Sequence, residues 1–429
     1  MRPSFRALFV VFILATPAAT LAQLINGRLV SSFSTWERFD TVGSSTRLLR
    51  AYQSILIDAA QASWSLHTHF QAAGTFENLN QLAEGGVDYR FYYVYGRLKE
   101  IGDMLDLSIG RQPFYAGVGH GTLDGGLANL RLAENRIRII MYGGANVPDD
   151  FRLKGWGVLR ENYTIGGQIL TTALTEARFG VSYFNRRRER APYWALRPDS
   201  LFNPLSTYVA PGAMSEEYLG FDASYQVSKF SAYARFDHDL PNKRPQRAQV
   251  GFRFGFRDDM VFSGELIHWA PRIPSNSFFA VFNPATVNEF ELGIDHSVFR
   301  AAGVFVRGAY VAYLGEESFR YTAGFTSQYV GATYRGTTGY AGELNSFTIQ
   351  GAYPFLDGML VPSAVISHAT YRSSSEDGRQ NVFTIALGAV VRPLKIVSMD
   401  AQVQWLRNPV YGRDVRLFGK INYWFAERL

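Results

Sequence analysis

The side chains best able to do chemistry are few and scattered. His67 and His69 stand two residues apart. On a strand that spacing puts both imidazoles on one face, where a metal ion can bridge them. No third ligand lies near them in the sequence, so a polar pair is the better reading and no metal is expected. Asp237-His238-Asp239 offers an acid/base pair. Catalysis also needs a base and an orienting partner that converge in space, and the chain holds no G-x-S-x-G, so no catalytic residue is expected. Tyr115–Gly126 (YAGVGHGTLDGG) contains Gly117-x-Gly119. A phosphate cradle would need a strand–turn–helix context and a Lys-Ser/Thr pair. Neither follows, and no cofactor is expected. Arg186-Arg187-Arg188 with Arg190 is the sharpest charge run. It can bind phosphate groups, or it can be a solvated strand end.

The elements that must hold these residues repeat with period two. In Gln249–Arg257, Val250, Phe252, Phe254 and Phe256 share one face, while Gly251, Arg253, Gly255 and Arg257 share the other. Arg416–Phe425 sets Leu417, Gly419, Ile421, Tyr423 and Phe425 against Arg416, Phe418, Lys420, Asn422 and Trp424. Ser63–Ala72, Tyr218–Val227 and Ser398–Trp405 alternate likewise, and Asp88–Arg97 sets Tyr89, Phe91, Tyr93 and Tyr95 against Asp88, Arg90 and Tyr92. Such segments run about ten residues, the length of a tilted strand that crosses a bilayer. Short turns, as at Ala60–Ala62 and Asn408–Gly412, alternate with long connections, as at Tyr115–Gly126, Val147–Asn162, Arg190–Ser215 and Gly315–Glu343.

Met1–Arg6 carries Arg2 and Arg6, Ala7–Ala15 is apolar, and Thr20-Leu21-Ala22 supplies small residues. This reads as a cleaved secretory leader over 1–22, because the apolar run is too short to span a bilayer. The remaining 23–429 reads as one domain. Aromatic residues make up 15% and charged residues 19% of the 429 residues, and there is no Cys. Zero Cys excludes a disulfide scaffold and Cys-ligated metal sites. The net charge of +6 falls to +4 without the two leader arginines, too diffuse for nucleic acid. The expectation is an all-β fold: a single antiparallel transmembrane β-barrel of about 18 strands, with 16 to 20 possible. A soluble sandwich or propeller explains the excess of Phe, Tyr and Trp less simply than two aromatic girdles do.

With these features the chain resembles Gram-negative outer-membrane porins of the 16- to 18-strand type. The closing segment Asn422-Tyr423-Trp424-Phe425, followed by Ala426-Glu427-Arg428-Leu429, looks like the aromatic end read by the barrel-assembly machinery. Ile109-Gly110-Arg111-Gln112 with Leu123-Asp124-Gly125 is similar to the GRQ…DG pattern of alginate-export-like barrels. The resemblance implies an outer-membrane location and passage of small hydrophilic solutes. Trimers are common among such porins, so a homo-oligomer is possible.

A barrel of this size leaves an aqueous lumen. Arg90, Arg235, Arg253, Arg257, Arg416 and Lys420 are expected to line it, together with Asp222, Glu265, Glu289 and Glu291. With Arg50, Arg138, Arg307, Asp58, Asp88, Asp106, Asp237, Asp295 and Asp400, which are also assigned to the inside, the signs nearly balance, and strong selection needs a ring of one sign, so weak charge selectivity is expected. Tyr115–Gly126 is the candidate constriction loop, with His120, Asp124 and Arg131 lining it if it folds inward. Arg186, Arg187, Arg188 and Arg190 are the candidate contacts to lipopolysaccharide. The alternative is a barrel plugged by its own loops that serves as a surface receptor, adhesin or scaffold.

Overall fold

A computed structural model describes residues 24–40, 45–77, 81–190, 192–198, 204–210, 212–273, 285–340, 342–374 and 376–428. The leader lies outside them. The chain runs up and down through β1 (Leu24–Asp40), β2 (Ser45–Ala60), β3 (Trp64–Glu77), β4 (Gln81–Ile101), β5 (Leu105–Ala116) and β6 (Gly119–Leu132). It continues through β7 (Ile137–Asn146), β8 (Tyr163–Leu174), β9 (Ala177–Arg188), β10 (Tyr193–Pro198), β11 (Pro204–Val209) and β12 (Met214–Val227). Next come β13 (Phe230–Asp239), β14 (Arg244–Arg257), β15 (Met260–Trp269), β16 (Val287–Phe299), β17 (Ala302–Tyr313) and β18 (Glu316–Ser327). The last are β19 (Val330–Gly339), β20 (Glu343–Ala352), β21 (Leu360–Arg372), β22 (Gln380–Leu394), β23 (Val397–Arg407) and β24 (Tyr411–Arg428).

All but β10 and β11 join one antiparallel sheet of 22 strands. β1 pairs with β2 on one side and β24 on the other, so the wall closes and has no free edge. β9 pairs directly with β12, which leaves β10 and β11 as a separate hairpin on the connection between them. The expected 18 strands are therefore corrected to 22. The segment Gly315–Glu343 is not a long connection. It holds β18 and β19, joined by a tight turn at Gln328–Tyr329. Their glycines and threonines dilute the apolar face that would mark them as strands. Tyr115–Gly126 is likewise mostly strand, with its turn at Gly117-Val118. Asn408–Val410 belongs to the rim that carries the long connections, not to the short-turn rim.

A strand's side chains alternate between faces, so a closed wall sorts each strand into an outside and an inside. Val250, Phe252, Phe254 and Phe256 are all exposed, as are Leu417, Ile421 and Tyr423. A water-facing belt of this kind would aggregate. On a closed barrel it is the face that meets hydrocarbon. Leu292, near the middle of β16, is 49% exposed on that belt. Leu292→Arg is expected to lower folding stability by about 2–4 kcal/mol, the cost of a cation on the lipid face near the midplane. Urea titration of folding into lipid vesicles checks this.

One strand breaks phase. In the β3–β4 ladder His69 faces Tyr93, but the next residue, Phe70, faces Phe91. Tyr92 is the extra residue of a β-bulge, and a bulge shifts the alternation by one. Tyr89 and Phe91 keep the outward face, while Tyr93 and Tyr95 turn inward beside His69 and His67. The expected single face of Tyr89, Phe91, Tyr93 and Tyr95 is corrected accordingly.

Candidate functional site

The end of the β5–β6 hairpin leaves the wall. β4 pairs with β5 only as far as Arg111, and β7 pairs with β6 only as far as Leu123. Just below that point Gly110, Gly125 and Gly144 face one another across β5, β6 and β7. Gly110 has φ +126°, and a Cβ there would lie 2.4 Å from the Val94 carbonyl oxygen. A Cβ on Gly125 would lie 2.2 Å from the Gly143 carbonyl oxygen. Only a residue without a side chain fits so close a backbone, and this row is where the hairpin bends inward.

Beyond the bend the hairpin lies against the inner wall. Phe114 stacks on Tyr142 with ring centroids 4.2 Å apart, and Phe184 and Tyr218 extend the stack across β9 and β12. Ala116, Val118 and Leu123 complete an apolar cluster with Ile140 and Leu170. The Val118 amide donates to Ser182 Oγ at 2.9 Å, which ties the turn to β9. Apolar burial of this extent makes the hairpin a fixed part of the interior. Its other face carries Tyr115, 80% exposed, and the exposed His120.

The pivot is a buried ion pair. Arg111 Nε and Nη2 donate to Asp124 Oδ1 and Oδ2 at 2.7 and 2.9 Å. Arg111 Nη1 also donates to the carbonyls of Phe91 and Phe151 at 3.1 Å and of Arg152 at 3.3 Å. The forked pair and these carbonyls give each guanidinium nitrogen an acceptor and the charge a counter-charge, which a buried guanidinium requires. Trp156 Nε1 donates to Asp124 at 3.2 Å, so the loop 147–162 is anchored on the same carboxylate. The Phe91 amide donates to the Phe151 carbonyl at 2.9 Å, which lets this loop take the place beside β4 that β5 vacates. In the loop, Lys154 and Arg152 hold the Asp150 carboxyl below the usual carboxylate range. The GRQ and DG residues, distant in sequence, meet at this pivot: Gln112 Nε2 donates to the Gly125 carbonyl at 3.1 Å. Sequence reasoning left Arg111 out of the site; the motif itself was the signal.

The expected lining residues divide. Arg235 pairs with the buried Asp237 at 3.0 Å, and Arg272 reaches the same carboxylate at 3.6 Å. Arg320 bridges Glu289 and Glu291. Glu265 accepts from Tyr233 and Gln249, and Asp222 accepts from Gln168 at 3.1 Å. Arg416 pairs with Asp414 at 2.7 Å and Lys420 with Asp400 at 3.1 Å. Arg90 pairs with Asp88, which Arg152 also holds. Arg253 is exposed on the inward face. Arg257 is a correction: a register shift after Gly255 puts it at the short-turn rim, with its guanidinium over the outward Phe256.

Of the three constriction candidates, the structure places only His120 on the exposed side of the hairpin tip, in the field of Arg186, Arg235 and Arg272. Asp124 is bound up in the pivot, and Arg131 sits lower on the wall, paired with Asp106 at 3.3 Å. The arginine run is split by alternation. Arg186 and Arg188 turn inward, to Glu216 and to Asp149 of the loop 147–162. Arg187 turns outward and pairs with Glu161 at 2.7 Å, and Arg190 lies past the strand end, exposed. His67 bonds Asp58 and Ser65, at 2.5 and 2.9 Å. His238 faces outward, stacked on Phe236, away from the inward Asp237 and Asp239.

No protein-family profile matches the chain, and no curated protein sequence matches it. Among solved structures, the P pilus usher (PapC) translocation pore superposes with a TM-score of 0.50 at 8% identity, covering 94% of this chain and 99% of that one. OccAB3 of Acinetobacter baumannii gives 0.42 at 9% identity, with 94% and 99% covered. OpdQ of Pseudomonas aeruginosa gives 0.44 at 8%, with 94% and 98% covered. At these identities the likeness is one of fold. The closed wall, the apolar outer belt and the superposition on the usher pore together make this an outer-membrane-type β-barrel.

Proposed function

We propose that the protein is an outer-membrane channel through which small hydrophilic solutes diffuse passively, with weak charge selectivity. The observation that carries this is the wetness of the inward charges. Arg235, Arg320, Lys420, Glu291 and Asp295 all point into the barrel, yet each keeps between 30% and 35% of its side chain accessible to water. A lumen packed by side chains or by a plug would bury them, and a buried charge of that kind is costly even when paired. The near balance of signs supports weak selectivity, because each pair largely cancels its own field. The hairpin tip narrows the lumen from the side of β7–β9 and β12, with His120 on its exposed side.

Outer-membrane lipid is the proposed solvent of the apolar belt, and Arg187 is the best placed of the four rim arginines for a lipopolysaccharide phosphate. Reconstitution in a planar bilayer tests the channel. Discrete conductance steps are expected, with a reversal potential in a tenfold salt gradient well under half of the roughly 59 mV of a perfectly selective pore. A value near that limit would remove weak selectivity. Absence of steps would favour the barrel plugged by its own loops.

A further inference from the structure

The phase shift at Tyr92 brings the inward rings of β3 and β4 side by side. Through the register, Trp424, Arg28, Leu56, His69 and Tyr93 form a single inward row across β24, β1, β2, β3 and β4. The next row toward the short-turn rim holds Asn26, Asp58, His67 and Tyr95. His67 stacks on Tyr95 with centroids 4.8 Å apart, His69 stacks on Tyr92 at 4.6 Å, and Tyr93 meets His69 and Tyr95 edge-on at 5.5 and 5.9 Å. The Arg28 guanidinium lies over Trp424 at 5.2 Å and donates to Asn422. All five rings of β3 and β4 are half-buried, so each leaves part of its surface to the lumen.

We infer that this inner wall is a binding track for a neutral linear oligosaccharide, a solute class that goes beyond simple diffusion and rests on the channel reading above. Sugar rings present flat C–H faces to aromatic rings and hydroxyls to polar groups at their edges. The track supplies both. Its rings alternate with Asp58, half exposed, and the exposed Asn26, which accept and donate at the ring edges. Its length argues for a chain of rings: five neighbouring strands span about 19 Å at the usual strand spacing. Its charges argue against an ion. Arg28 is already committed to Trp424 and Asn422, Arg97 to Asp106 at 2.7 Å, and His67 to Asp58. An organic cation would meet Arg28 on the aromatic face it needs, and an anion would meet Asp58.

The test is current block of single channels by maltohexaose. Conductance without sugar reports the channel reading by itself. Added maltohexaose is expected to interrupt the current at millimolar concentration. Tyr93→Ala with Tyr95→Ala should weaken the block by roughly tenfold or more, as loss of two ring contacts implies. Tyr93→Phe with Tyr95→Phe should keep it, because stacking survives without the hydroxyls. If the double alanine variant does not assemble, Tyr93→Ala alone is scored the same way. A conducting channel that maltohexaose does not block would overturn the track. So would an unchanged block in the alanine variants, or tighter block by tetramethylammonium than by the sugar. If the unaltered barrel does not conduct, the channel reading fails, and calorimetric titration of the detergent-held barrel with maltohexaose decides the track separately.

Discussion

Excising Gly117–Thr122 and rejoining β5 to β6 through a two-residue turn is expected to raise single-channel conductance severalfold. Conductance follows the narrowest water-filled section of a pore. The excised segment is the part of the hairpin that reaches farthest from the wall at Arg111 and Leu123. It includes Val118, which contacts β9 through Ser182, and the exposed His120. The wall itself should survive, because the ladder from β4 to β5 and from β6 to β7 ends below the cut. Unchanged conductance from a correctly assembled barrel would show that the hairpin is not the constriction.

Arg111→Ala is expected to be the most damaging single substitution. It leaves the Asp124 carboxylate, 11% exposed, without its forked partner, and it removes the donor to the Phe91, Phe151 and Arg152 carbonyls. Breaking a buried pair from one side costs about 3–5 kcal/mol. The hairpin and the loop 147–162 hang on the same guanidinium, so both should loosen together. Single-channel traces should become noisy before the barrel unfolds. Arg111→Lys should not rescue, because an ammonium cannot make the fork. Arg111→Ala with Asp124→Ala should recover part of the loss, since no orphaned charge remains. The measurement is the heat-dependent change in gel migration of the folded barrel, run for all four proteins. Equal midpoints for Arg111→Ala and the parent would refute the pivot.

How much of this was legible in the residues follows from what alternation can and cannot say. The faces of β14 from Gln249 to Gly255 and of β24 from Arg416 to Phe425 are readable because those stretches keep strict period two, with bulky apolar residues on one side. The bulge at Tyr92 is not. Any strand accepts an extra residue, and nothing in Tyr89–Tyr95 marks which tyrosine is the spare one. That single slip hid the aromatic row. The end of β14 misled for the same reason, through the shift after Gly255 that carries Arg257 to the rim. The strand number was underestimated where strands such as β19 are built from Gly and Thr. The glycine-rich segment stands out in the sequence, but its role depends on partners far along the chain: Phe184, Tyr218 and Ser182. The arginine run read as one patch, although a strand must send its neighbours to opposite sides.

The seam between β1 and β24 joins side chains as remote as Arg28 and Asn422, 394 positions apart. Every other ladder can zip locally as its two strands emerge, but this one has to wait for nearly the whole polypeptide to arrive. Until then the growing sheet carries two raw margins, each able to capture a stray strand from a neighbour. The burden of escort during biogenesis therefore falls on the first and last staves rather than on the many between them.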